Sequence, residues 1–204
     1  MSLLLSQTTY TLAEYLAFEE ANDEKHEYLA GHIYAMAGGS PAHNQICFNL
    51  SACIGSRIQG TDCRGYSSDQ KIWIEAAQIG TYGDITIVCG EPRFHERHKT
   101  LLLNPRVIIE ILSPSTEAYD RGDKWAYYQQ LSSLTDYLLV AQQRTQIEHF
   151  ALDRDGSWRY TSETNPTSDI ILASINCRIP LAQVYVGIEF PSAPTRPPIQ
   201  NSSE

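Results

Sequence analysis

No apolar run in the sequence approaches the roughly 18 residues that cross a bilayer as a helix, which argues against a membrane-spanning chain. The start, Met1 to Ser6, has three leucines but no basic segment and no small-residue cleavage pattern, so a secretory leader is not expected. Cysteine is sparse and scattered. Cys47, Cys53, Cys63, Cys89 and Cys177 are odd in number and include no Cys-x-x-Cys pair. That pattern argues against a zinc ribbon or a disulfide framework, and buried free thiols in a reducing cytoplasm are expected instead. Positive charge is also short: 15 Lys and Arg stand against 24 Asp and Glu, a formal net charge of −9. A protein that grips nucleic acid mainly through phosphates is basic, so strong non-specific binding is not expected. Net charge leaves open what a single cleft does.

What is present is ordinary globular usage, with 42% hydrophobic and 19% charged residues in a chain of 204. That length suits one domain. Residues 1–10 read as an N-terminal extension, 11–190 as the domain, and the Pro- and Ser-rich stretch 191–204 as a disordered tail. Thr11-Leu12-Ala13-Glu14 is a capping box opening a helix over about 11–21. Ala30-Gly31 reads as a hairpin turn, and Ser40-Pro41 starts a helix running to about residue 59. Strands are expected over 65–74, 81–89 and 106–112, with a charged loop over 91–104. Asp120 is expected to cap a helix over 121–131, ahead of strands at 136–141 and 146–152. Asp155-Gly156 is a further hairpin signal. The order predicts an α/β fold, a mixed sheet flanked by helices.

Glu110 carries the most information. It interrupts the apolar strand Val107-Ile108-Ile109-Glu110-Ile111-Leu112. A carboxylate there carries a heavy desolvation cost unless it is paired or bound to a metal. A structural ion pair would satisfy it equally well. Asp84 opens the neighbouring strand Asp84-Ile85-Thr86-Ile87-Val88, and two such carboxylates can converge on one hard cation. Alone, Asp84 would read as a turn residue.

Tyr82-Gly83-Asp84, then Glu110-Ile111-Leu112-Ser113-Pro114-Ser115-Thr116, then Asp120 and Lys124, resembles the Uma family of restriction-endonuclease-like proteins common in cyanobacteria. The resemblance runs from about Tyr10 to Phe190. It implies a restriction-endonuclease-like mixed-sheet core of the PD-(D/E)XK superfamily. By resemblance, Asp84 and Glu110 bind Mg²⁺, with Mn²⁺ as a substitute, and Ile111 adds its backbone carbonyl. Glu27 matches an acidic residue of the family's early segment and is a further candidate; a solvated charge beside a turn is the other reading. The implied activity is hydrolysis of DNA phosphodiesters by a cytoplasmic endonuclease.

Two positions depart from that pattern. Gly83 stands where the superfamily has Pro, and Leu112 stands at the lysine position. Leucine cannot orient water. Lys124 is the substitute expected from the following helix, with an exposed lysine paired to Asp120 as the alternative. Lys71 is a second candidate, expected to face outward. His43 resembles the family's recurring His at a helix start. His95 and His98 read as a solvated loop, and Ser113 and Ser115 lack a His partner for nucleophilic catalysis. An inactive nuclease-fold module that binds nucleic acid or protein is the alternative function. A homodimer is expected, because closed two-fold pairs are the commonest oligomers.

Overall fold

The computed structural model describes residues 3–4, 9–36 and 38–191. Most of the expected 1–10 extension, and the expected tail beyond Pro191, lie outside the described residues. In chain order the elements are β1 (Leu3–Leu4), α1 (Leu12–Glu20), β2 (His26–Leu29), β3 (His32–Ala35), α2 (Pro41–Ile58), β4 (Cys63–Ser67) and β5 (Lys71–Ile74). There follow β6 (Ile79–Tyr82), β7 (Ile85–Cys89), β8 (Leu101–Leu102), β9 (Val107–Leu112), α3 (Glu117–Arg121), α4 (Asp123–Tyr128) and β10 (Asp136–Ala141). The chain closes with β11 (Ile147–Leu152), β12 (Trp158–Glu163), β13 (Asp169–Leu172), a 3₁₀ turn, β14 (Cys177–Pro180) and α5 (Leu181–Val184).

Local chemistry sets several of these boundaries. The Thr11 side chain accepts from the Glu14 amide, and the Glu14 carboxylate takes the Thr11 amide in return, so α1 starts where its orphan donors are met. Ser40 caps α2 ahead of Pro41. Ala30 and Gly31 both have positive φ, 46° and 97°, which matches the twist of the β2–β3 hairpin.

The strands form two six-stranded sheets. One runs β1-β3-β2-β6-β5-β8 and the other β12-β11-β10-β9-β7-β4, with β13 and β14 as a separate pair. In the second sheet β9 and β10 are parallel and the remaining neighbours antiparallel. Alternation along β9 divides its side chains between two cores. Val107, Ile109 and Ile111 pack with Ile46, Leu50 and Ile54 of α2. Ile108 and Leu112 join Ile72 and Ile79 of the first sheet, Tyr128 of α4 and Tyr137 of β10. Glu110 therefore projects to the side where α4 and the first sheet meet.

Several expectations are corrected. The stretches 65–74 and 81–89 are each two strands, one in either sheet, because the chain crosses between layers at 68–70 and at Gly83-Asp84. A Cβ on Gly83 would sit 2.9 Å from Ile108 Cγ2, so a side chain there would force Ile108 to shift. The expected helix over 121–131 is two short helices parted at Gly122, and Asp120 lies inside the first rather than capping the second. Free thiols hold for Cys47, Cys53 and Cys177, but not for Cys63 and Cys89. Those two face each other in the β4–β7 register and are joined by a disulfide. Strand pairing created that proximity, and their separation of 26 residues gives no hint of it. No helix among the described residues is long and apolar enough to cross a membrane.

Asp136, at the start of β10, ties the sheet to the final hairpin. It accepts from Thr135 Oγ1 at 2.8 Å and from Ser174, and pairs with His149 Nε2 at 2.7 Å. Burial opposes the charged carboxylate, but these hydrogen bonds outweigh it and hold its pKa below the usual range. Such a group stabilises above its unfolded pKa and loses that stabilisation as pH falls through the folded value. Asp136→Asn is expected to cost about 2 kcal/mol at pH 7, and the gap to the unaltered chain should close below about pH 4. Urea titrations at the two pH values read this directly.

Candidate active site

Three carboxylates and one ammonium are almost wholly buried together. Glu27 on β2, Glu110 on β9, Asp120 on α3 and Lys124 on α4 are each 3–4% exposed. Lys124 Nζ lies 3.0 Å from Glu110 Oε1, 3.6 Å from Glu27 Oε1 and 3.7 Å from Asp120 Oδ1. Spacing of four along the chain brings Asp120, Lys124 and Tyr128 to one side across the α3–α4 junction. The Tyr128 hydroxyl donates to Glu110 Oε1 at 2.9 Å, and Thr81 Oγ1 donates to Glu27.

Asp84 sits one residue before β7, where the Ile85–Ile109 pairing brings it beside Glu110. Its Oδ2 accepts from the Ile111 amide at 2.7 Å and lies 3.1 Å from His43 Nε2. Ile111 thus touches the site through its backbone, and its side chain belongs to the core. His43 is held at the start of α2, where its backbone N–H donates a hydrogen bond to Ser40 Oγ at 3.1 Å. Glu27, His43, Asp84, Glu110, Ile111, Asp120 and Lys124 line one cavity of about 690 Å³, together with Ser113, Thr116 and Tyr119. The buried Tyr119 hydroxyl has no partner among the described residues.

The electrostatics follow from that crowding. Burial pushes the Glu110 carboxyl well above the usual range, with Lys124 pulling it back and Asp120 and Asp84 adding to the rise. Burial likewise raises Asp120 against the pull of Lys124. Burial alone would favour neutral Lys124, but Glu110 and the neighbouring acids hold its pKa well above the ordinary value. One ammonium therefore serves several acids, and burial favours the neutral forms of Glu110 and Asp120 wherever Lys124 does not offset it.

The oxygen donors of this cavity are of the kind a hard divalent cation takes. The partners of Asp84 all engage Oδ2, and those of Glu110 and Glu27 all engage Oε1. Among the described residues the other oxygen of each is uncommitted. Mg²⁺ needs few protein oxygens because it keeps several waters. One trio of His, Cys, Asp or Glu ligand atoms lies within 4.8 Å of one another among the described residues: Asp62, Cys63 and Cys89. Its two sulfurs are bonded to each other, so it offers no thiolate. The cavity offers instead the carboxylates of Asp84 and Glu110.

The structure thus brings Asp84, Glu110, Ile111, Glu27 and Lys124 to one cavity. It keeps Leu112 out of it, packed in the apolar cluster with Tyr128 and Tyr137. Lys71 is buried, contrary to the outward orientation expected. Its Nζ is 3.6 Å from Glu19 Oε1 and 4.7 Å from the centre of the Tyr15 ring, in a separate network behind Tyr82. Asp120 and Tyr128 were not marked as site residues by sequence. Their four-residue spacing with Lys124 was the available signal.

Residues 12–180 match the family Uma2, described as "Putative restriction endonuclease". The chain belongs to the Uma2 family. Two uncharacterised proteins of the cyanobacterium Synechocystis sp. are similar to it. One is 39% identical over 178 residues, 87% of this chain and 92% of the relative. The other is 31% identical over 170 residues, 83% of this chain and 96% of the relative. A crystal structure from Anabaena variabilis, titled a "putative nuclease belonging to DUF820", superposes with a TM-score of 0.70. It covers 87% of this chain and 98% of that one at 16% identity, a likeness of fold. The Uma2 chain accordingly has the restriction-endonuclease-like fold, with mixed sheets flanked by helices.

Lys124 is the keystone of the buried charges, and removing it leaves Glu110 and Asp120 without a counter-charge. Lys124→Met is expected to cost about 3–5 kcal/mol at pH 8. The loss should shrink toward pH 5, because acids with raised folded pKa values take up protons and need no partner. Denaturant titrations at both pH values measure the difference.

Proposed function

We propose that this Uma2 protein is a Mg²⁺-dependent endodeoxyribonuclease of the PD-(D/E)XK type, hydrolysing DNA phosphodiester bonds in the cytoplasm, with Mn²⁺ as a working substitute. The observation that carries this reading is the 3.0 Å approach of Lys124 Nζ to Glu110 inside the cavity that Asp84 also lines. A helix-borne lysine stands in for the residue that Leu112 displaced.

In this reading Asp84 and Glu110 hold the cation, with the Ile111 carbonyl beside them. The bound cation would lower the pKa of a water and offset charge on the phosphate in flight. Lys124 donates a hydrogen bond to the attacking water and orients it toward phosphorus. Glu27 and Asp120 keep that ammonium in place and charged. The Ile111 amide and His43 fix the rotamer of Asp84 by occupying Oδ2. Cutting both strands of a duplex suits a two-fold pair of subunits, so the active form is taken as a homodimer.

Cleavage of supercoiled, linear duplex and single-stranded DNA in Mg²⁺ or Mn²⁺ tests the activity. Asp84→Ala and Glu110→Gln should each lower the rate roughly a hundredfold or more, and EDTA should abolish it. Calorimetry should find Mg²⁺ affinity in the unaltered chain that Glu110→Gln removes. If no DNA form is cut and Asp84→Ala leaves metal binding unchanged, the catalytic reading fails. DNA or protein binding that survives such a result would identify a non-catalytic module.

A further inference from the structure

The cavity is acidic, with Asp23 and Glu24 on its lining beside the buried acids. A polyanion therefore needs a cationic hold outside it. The loop between β7 and β8 has the composition for one. Arg93, His95, Arg97, His98 and Lys99 fall within seven residues that contain one acid, Glu96. Arg93, Arg97 and Lys99 are exposed and form no ion pair among the described residues. Lys25, Arg121, Arg159 and Arg178 are each paired to a carboxylate, and the exposed Arg64, Arg144 and Arg154, also without an ion pair among the described residues, stand singly in the sequence.

This loop is ordered. Phe94 bridges Leu102, the His95 amide donates to the Leu101 carbonyl at 2.9 Å, and the Leu103 amide donates to the Arg93 carbonyl at 2.8 Å. The His95 and His98 rings lie 5.1 Å apart. Leu101 and Leu102, both fully buried, anchor its far end in the first sheet.

The anchor also fixes the loop's position relative to the cavity. Leu101 pairs with Lys71, and Lys71 pairs with Tyr82, which lines the cavity two residues before Asp84. Two strand spacings therefore separate the loop's base from the cavity edge, about 10 Å. The Thr100 carbonyl accepts from Gln70 Nε2 at 2.8 Å, two residues beyond Ser68 on the cavity rim.

We propose that the 93–99 loop is a docking surface for DNA, holding backbone phosphates beside the cavity. This inference rests on the nuclease reading and adds where its substrate is gripped. Arg93, Arg97 and Lys99 supply the charge, and preordering of the loop lowers the entropic cost of binding.

The test is fluorescence anisotropy of labelled single-stranded and duplex 20-mers with the full chain in Ca²⁺, across a salt series. Replacing Arg93, Arg97 and Lys99 together by Ala should weaken binding roughly tenfold or more at ~0.1 M salt and reduce the log–log salt slope by about two to three. Arg97→Glu alone should shift affinity the same way, which guards against misfolding of the triple variant. Arg154→Ala with Arg159→Ala removes charge at the strand ends away from Glu110 and should leave both quantities unchanged. Unaltered affinity and slope in the triple variant, or an equal loss in the Arg154/Arg159 control, overturns the loop assignment and leaves the nuclease reading standing. Absence of binding by the unaltered chain to either DNA form overturns the DNA reading and this inference with it.

Discussion

Lys124 is buried among Glu27, Glu110 and Asp120, and the rest of the domain is arranged so that these four can meet. Each arrives on a different element: β2 of the first sheet, β9 of the second, and the two short helices α3 and α4. Taking charges out of water costs several kcal/mol per ion unless geometry and hydrogen bonds repay it. Here the repayment is partial, since one ammonium meets three acids and Asp84 stands close by.

Apolar structure surrounds these charges. β9 is buried on both faces, with α2 packed on one side and the first sheet, α4 and Tyr137 on the other. That double cover holds Glu110 rigidly and lowers the local dielectric, which raises its pKa and strengthens its pairing with Lys124. The close backbone approach at Gly83 places Asp84 against the same strand. The chain crosses between sheets there and delivers a carboxylate at the crossing.

Much of the fold was legible in the chain. The capping box at Thr11, the Ser40-Pro41 start, the Ala30-Gly31 turn and the apolar run of β9 are local signals, and each element formed where its signal lay. The failures share a cause. The 65–74 and 81–89 stretches were each read as one strand because each ends in an apolar run, yet each changes sheet midway. Cys63 and Cys89 met through strand register, and Lys71 was drawn inward by Glu19 from another element. None of these partners is a sequence neighbour, so periodicity carries no trace of them.

The candidate site divides in the same way. By itself the sequence determined that Glu110 must be compensated, because an acid in a two-face-buried strand has no water to solvate it. It also nominated Asp84, Glu27 and Lys124 through a family resemblance that membership of Uma2 bears out. Only the tertiary structure decided who compensates Glu110, since the choice between a surface lysine and a buried one depends on where α4 packs. It also decided that Asp120 is a buried acid of the site rather than a helix cap. Their four-residue spacing sets Asp120 on the side of Lys124, 3.7 Å away, but the burial of both is a property of packing between elements rather than of any local run of residues.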